Sequence, residues 1–250
     1  MPQQYPVWPN GCRAAVSLTY DDGIPAHTQF VAPQLEEYGL RGTFYTPLKS
    51  DLIIHPLAWR ALAERGHEIG NHTIFHPCRD LDGRYNSWLP QAFNLAHYDE
   101  KRWQEEIRVA NGVLRMIDGK DARTFGNTCF DNWLGPEEAP VRLDTLAAEH
   151  FAAARGEETN RPVDLQNLNR YNLGTVWADR RTFAAFREEF EALLNNGGWI
   201  IYTFHGVGEG THNHFIAEKE HQQLLAFLRD QQAQIWTAPV VDVVKCLFKE

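Results

Sequence analysis

Three groups of residues in this sequence could do chemistry: Thr19-Tyr20-Asp21-Asp22-Gly23, His72-Thr73-Ile74-Phe75-His76 and Phe204-His205-Gly206. Two adjacent carboxylates at the end of an apolar run sit where parallel α/β enzymes place catalytic groups. Side chains alternate along a strand, so Asp21 and Asp22 should point differently, one ligating a metal while the other acts as base. Asp-Asp-Gly is also an ordinary turn sequence. His72 and His76 are four apart, one helical turn, which lets two imidazoles converge on one ion. The glutamate of a zinc-protease helix is missing, since Thr73 follows His72, so a general base must come from elsewhere. His67 reads as structural. His205, where an apolar strand leaves the core, is either hydrogen-bonded filler or a general acid/base. Two histidines and one carboxylate leave coordination positions open for water and substrate, as a catalytic metal requires. Taken together, the groups point to metal-assisted hydrolysis. The donor set suits a divalent transition metal, zinc first, with cobalt, nickel or manganese able to substitute.

The elements that must position these groups alternate along the chain. Seven apolar runs read as strands, at 14–20, 42–46, 67–72, 123–128, 151–155, 199–205 and 234–238. Most are nearly continuous, as in strands buried on both faces. Helical periodicity is clearest from Asp99, a plausible N-cap, to Ile117, with Trp103, Ile107, Ala110, Leu114 and Ile117 on one face. A second helix spans 182–194 and stops at Gly197-Gly198. Others are expected at 27–38, 56–65, 137–149, 216–230 and 240–248. Alternation of this kind predicts an α/β fold with a parallel sheet, open or closed into a barrel. No linker divides residues 1–250, so the chain reads as one domain. Segment 79–98 is aromatic and weakly periodic, and reads as a lid or binding wall.

With 43% hydrophobic residues the chain has ample material for a core. A formal charge of -9 with no basic run argues against nucleic acid and anionic membrane as partners, leaving neutral or cationic substrates. The oligomeric state cannot be read from the sequence. Cys12, Cys78, Cys129 and Cys246 are scattered without a C-x-x-C pair, so four reduced thiols are expected. The first six residues lack the charged and apolar regions of a signal peptide, which makes a cytoplasmic location the expectation.

In these motifs and their order the sequence resembles the polysaccharide deacetylase family, the NodB-homology domains of carbohydrate esterase family 4. The family's T-F-D-D-G appears with Tyr20 for Phe, its H-[ST]-x-x-H as His72 to His76, and its L-x-H as the close at Phe204-His205. The resemblance implies a distorted (β/α)7 barrel in one domain. It implies Asp21 as base, Asp22, His72 and His76 as metal ligands, and His205 as the acid that protonates the leaving group. The third family motif, Phe-Arg-Pro-Pro-Tyr-Gly, is here Phe125-Gly126-Asn127-Thr128-Cys129-Phe130, without its arginine or its prolines. Arg155 is the candidate to replace that arginine. The Cys129 amide is a candidate oxyanion donor, and Asp131 and Trp133 are candidates to line a substrate groove. His212 and His214, just beyond the acid, read as a solvated loop.

The function expected from the resemblance is removal of an acetyl group from an N- or O-acylated carbohydrate. Hydrolysis of a small amide or cyclic imide on the same barrel is an alternative, as is a catalytically inactive carbohydrate-binding relative, which would account for the lost arginine.

Overall fold

A computed structural model describes residues 8–85 and 87–249. The reading of the first six residues lies outside them. Strand β1 (Ala14–Asp21) is buried along its whole length, in keeping with its unbroken apolar and small-polar sequence. From it run β2 (Thr43–Thr46), β3 (Glu68–Asn71), β4 (Thr124–Gly126), β5 (Ala153–Glu158), β6 (Leu173–Trp177) and β7 (Gly198–Phe204), all parallel. β7 pairs back onto β1 from Ala14 opposite Gly198 to Tyr20 opposite Phe204, which closes a seven-stranded barrel. The expected distorted (β/α)7 barrel is the architecture found.

The distortion has a location. β2 pairs only with the end of β1, Thr19 to Asp21, whereas β8 (Ile235–Thr237) pairs with its start, Ala14 to Val16. The 234–238 run is therefore a strand outside the barrel's closure. The strand that completes the closure, β6, was not among the expected runs, because Gly174 and Thr175 interrupt its apolar pattern.

Helices α1 (Ala32–Glu37), α2 (Pro56–Glu64), α3 (Glu100–Asp118), α4 (Leu143–Ala147), α5 (Phe183–Asn196), α6 (Glu218–Asp230) and α7 (Val240–Phe248) complete the connections. Asp99 caps α3 by accepting from the Arg102 amide at 2.7 Å, and Gly119 ends it in the left-handed conformation. The stripe from Trp103 to Ile117 is buried as the periodicity predicts. The helix expected over 137–149 shrinks to α4. Pro136 and Pro140 resist helix, and Val141–Arg142 instead pairs antiparallel with Trp133–Leu134.

Four reduced thiols are not what the fold contains. Cys78 and Cys129 form a disulfide with Cα atoms 5.7 Å apart, while Cys12 and Cys246 are free. The two half-cystines are 51 residues apart on loops at the same barrel end, a proximity that spacing alone does not reveal.

Toward its mouth the barrel interior is polar and tightly filled, above an apolar layer of Ala15, Ala153, Leu173, Trp199 and Ile201. Tyr45 points inward, its hydroxyl 2.8 Å from Thr124 Oγ1, and its ring occupies the space that a Cβ on Gly70 or Gly126 would need. Gly70→Ala should therefore lower stability by about 1–3 kcal/mol through overpacking. The check is a urea midpoint that falls at unchanged m value. Adding Tyr45→Ala should relieve part of the loss, so strict additivity would rule out the Tyr45 clash as its cause.

Candidate active site

β1 delivers both aspartates to one mouth of the barrel, and the turn after it separates them. Asp21, last in the strand, points inward and is 3% exposed. Asp22 adopts a left-handed φ of 77°, which swings its carboxylate toward the histidines. Gly23 follows with φ 59°, packed so closely against Thr46 and Ser50 that no side chain would fit.

Arg155, from β5, meets Asp21 across the interior. Its Nη1 donates to Oδ1 at 2.8 Å and its Nη2 to Oδ2 at 2.6 Å, a bidentate fork. Nη1 also lies 3.1 Å from Thr19 Oγ1 and 2.8 Å from Thr203 Oγ1, and the guanidinium sits 4.7 Å over the Tyr45 ring. Burial opposes the charge on Asp21, but Arg155 outweighs it, with help from His72 and His205, and holds the carboxyl below its usual range.

His72 and His76 do converge, though not on a helix. Residues 72–76 form an irregular turn with Thr73 at φ 71° and His76 at φ 55°. Several neighbours fix that turn. Asn71 Oδ1 accepts from the Thr73 amide at 2.7 Å, and Thr73 Oγ1 accepts from the His76 amide at 3.0 Å. Glu106, buried on α3, accepts from the amides of Ile74 and Phe75. His72 Nδ1 lies 2.7 Å from the Gly126 carbonyl, which can only accept, so Nδ1 carries the proton and Nε2 presents a lone pair. Burial lowers His72 to about 4, so it is neutral at pH 7.

The donors face one another. Asp22 Oδ1 is 3.2 Å from His76 Nε2 and 3.8 Å from His72 Nε2, yet it is buried without a hydrogen-bond partner. Asp22, His72 and His76 offer ligand atoms all within 4.8 Å of one another. A buried acceptor left unsatisfied among imidazole nitrogens fits a divalent cation.

His205 faces this group from the end of β7. Asp179 receives both its backbone amide, at Oδ1 and 3.1 Å, and its Nδ1, at Oδ2 and 2.7 Å. Burial works against a charged ring, but the Asp179 bond and the nearby Asp22 and Asp21 carboxylates outweigh it and raise His205 to about 9. Asp179 was not among the candidates from sequence. Its signal, Trp177-Ala178-Asp179 after a strand, was hidden with β6 itself.

The cavity above these groups measures about 620 Å³ and is lined by Asp21, Asp22, His72, His76, Cys129 and His205, among others. Its walls are aromatic. Tyr85, Trp88 and Phe93 of segment 79–98 form one side, as the wall reading expects, and Phe130 and Trp177 form another. His212 belongs to the cavity rather than to a solvated loop: its Nε2 is 3.3 Å from Asp22 Oδ2, and its ring stacks on His205 at 5.2 Å, while His214 lines the rim and stays exposed, as a solvated loop would have it. Asp131 and Trp133 stand apart from the cavity lining. Asp131 accepts the Arg79 amide at 2.6 Å and is raised to about 6 by burial, while Trp133 lies 5.1 Å from the Arg142 guanidinium.

Comparison with known proteins agrees with this frame. The polysaccharide deacetylase family model matches residues 9–127, a little under half of the chain. The resemblance drawn from the motifs is thereby borne out, and the matched region contains Asp21, Asp22, His72 and His76. A gellan lyase from a Bacillus species is 24% identical over 96% of this chain, and a peptidoglycan-N-acetylglucosamine deacetylase from Bacillus cereus is 28% identical over 43%. The chain spans 10% and 33%, respectively, of these two curated relatives. Among solved structures, a candidate polysaccharide deacetylase from Mycobacterium smegmatis superposes with a TM-score of 0.61 at 17% identity, covering 98% of this chain and 93% of that one. A peptidoglycan deacetylase from Bacillus subtilis gives 0.53 at 15% identity, covering 95% and 94%. At such identities the likeness is one of fold.

Arg155→Ala should strand a buried carboxylate and cost about 3–5 kcal/mol. Arg155→Lys keeps the charge but loses the fork, so it should retain part of the stability. Thermal unfolding of both variants checks this, and an Arg155→Ala protein as stable as wild type would sink the pairing.

Proposed function

We propose that residues 1–250 form a polysaccharide deacetylase-like hydrolase domain that removes acetyl groups from an N- or O-acetylated carbohydrate with a divalent transition metal, zinc first. The observation that carries this reading is the division of labour at the barrel mouth. One aspartate is held charged by an arginine, its neighbour faces two histidines, and a third histidine is held protonated opposite them.

Asp22, His72 and His76 would hold the ion, which when bound would polarise the acyl oxygen and acidify a water molecule. Asp21, kept ionised by Arg155, accepts the proton of the attacking water. His205, kept charged by Asp179, donates its proton to the leaving nitrogen or oxygen. The Cys129 backbone amide is the proposed donor to the developing oxyanion. Trp88, Tyr85 and Trp177 offer faces on which a sugar ring can stack and exclude water. The names of both curated relatives belong to carbohydrate-active proteins, which supports a carbohydrate over a cyclic imide. An inactive relative loses its main ground, since Arg155 supplies the partner that Asp21 needs. No helix among the described residues is long and apolar enough to cross a membrane. The Cys78–Cys129 disulfide favours an oxidising compartment over the cytoplasm expected from the first six residues.

Elemental analysis should find about one transition-metal ion per chain, lost in both Asp22→Ala and His72→Ala. The loaded protein should release acetate from N-acetylglucosamine oligomers or O-acetylated sugars. Loaded protein that releases none from either class would overturn the proposal. A second prediction concerns pH. Asp179→Asn removes a carboxylate that stabilises the His205 imidazolium, so the ring's pKa must fall from about 9 toward its ordinary value. The alkaline limb of the rate profile should then move to lower pH, and a limb that stays in place would remove His205 from the role of acid.

A further inference from the structure

His76 has two ring nitrogens, and they face different chemistry. Nε2 points to Asp22 Oδ1 at 3.2 Å, whereas Nδ1 lies 3.7 Å from Cys78 Sγ. A ring nitrogen of His76 and the sulfurs of Cys78 and Cys129 all lie within 4.8 Å of one another. As a disulfide the sulfurs are poor ligands. As thiolates, with one imidazole, they make the soft donor set that zinc and cobalt favour.

The sulfurs should stay together after reduction, because other contacts tie the same two loops. Thr128 Oγ1 donates to the Pro77 carbonyl, and the Arg79 amide donates to Asp131 Oδ2 at 2.6 Å. The Arg79 guanidinium also reaches the Gly135 carbonyl at 3.0 Å. Cys78 is fully buried, but Cys129 lines the cavity and gives a reductant its access.

We propose that Cys78, Cys129 and Nδ1 of His76 form a second divalent-metal site that exists only when the disulfide is reduced, and that it competes for the ion with Asp22, His72 and His76. The competition rests on the proposed reading of the Asp22 site; the sulfur site does not. A neutral imidazole has one lone pair, so His76 serves one ion at a time. When Nδ1 ligates, the ring proton sits on Nε2 and is donated to Asp22 Oδ1, the oxygen otherwise left without a partner. The redox balance is simple. A phosphine gives two electrons to the S–S bond and takes its oxygen from water, whose two protons make the two thiols. Those protons leave when the thiolates bind the ion.

The experiment is cobalt(II) titration of the intact chain before and after reduction with a water-soluble phosphine. Absorption spectra and equilibrium dialysis are the readouts. Both forms should bind one ion per chain, and only the reduced form should show sulfur-to-cobalt charge transfer in the near ultraviolet. Reduced Asp22→Ala should keep that band, although its oxidised form binds no cobalt. His76→Ala, whose disulfide forms normally before reduction, should lose it. Absence of the band from reduced wild type, its survival in His76→Ala, two ions per reduced chain, or loss of near-ultraviolet circular dichroism on reduction would each overturn the proposal. If oxidised wild type alone fails to bind cobalt, the competition is overturned together with the Asp22 reading, and the sulfur band separately decides whether the second site exists.

Discussion

Much of this barrel is arranged around one buried ion pair. Arg155 and Asp21 come from β5 and β1, which are not neighbours in the sheet, so their contact spans the interior. A cation there is tolerated only where most of its donors are met: both Nη atoms of Arg155 are paired, while its Nε is buried without a partner. Thr19 and Thr203 accept from the guanidinium, and the face of Tyr45 covers it. Tyr45 fits only because Gly70 and Gly126 leave room for its ring. Threonines, a tyrosine and glycines at interior positions, where a barrel usually places branched aliphatics, follow from that single charge.

The same pair sets the chemistry at the mouth. Because Arg155 occupies both oxygens of Asp21, that carboxylate is fixed in place and kept ionised. Asp22 is freed by the left-handed turn after the strand to face His72 and His76. The two neighbours in sequence thus meet different fields, one an arginine and the other a ring of imidazoles. His212 extends this ring on the side of Asp22 away from His72, touching the second carboxylate oxygen and lying flat on His205.

What the sequence made legible follows from how locally each feature is encoded. Strands buried on both faces announce themselves as apolar runs, and α3 announces itself by its stripe and its Asp99 cap. β6 did not, because Gly174 and Thr175 interrupt its apolar pattern. Asp179 was missed with it. The histidine pair was legible by spacing, yet the turn that joins them is held by Asn71, Thr73 and Glu106, the last more than thirty residues away. The disulfide was illegible for a similar reason, since it joins loops that meet only after the barrel has closed.

Arg155 also shows what the altered third motif leaves unconstrained. In the family pattern the arginine and the prolines share one segment after the fourth strand. Here the arginine that meets Asp21 is Arg155, one strand along on β5, so the pairing is made across space and not within that segment. Residues 125–130 themselves carry no arginine. The segment still has to hold two consecutive non-glycine residues, Cys129 and Phe130, at left-handed φ of 53° and 56°. Such residues persist only where their surroundings fix them. Without prolines to stiffen the chain, the disulfide to Cys78 and the Thr128 contact with Pro77 supply that restraint. They also bind this wall of the cavity to the loop that carries His76, so rigidity that proline would have given to one segment is here shared between two.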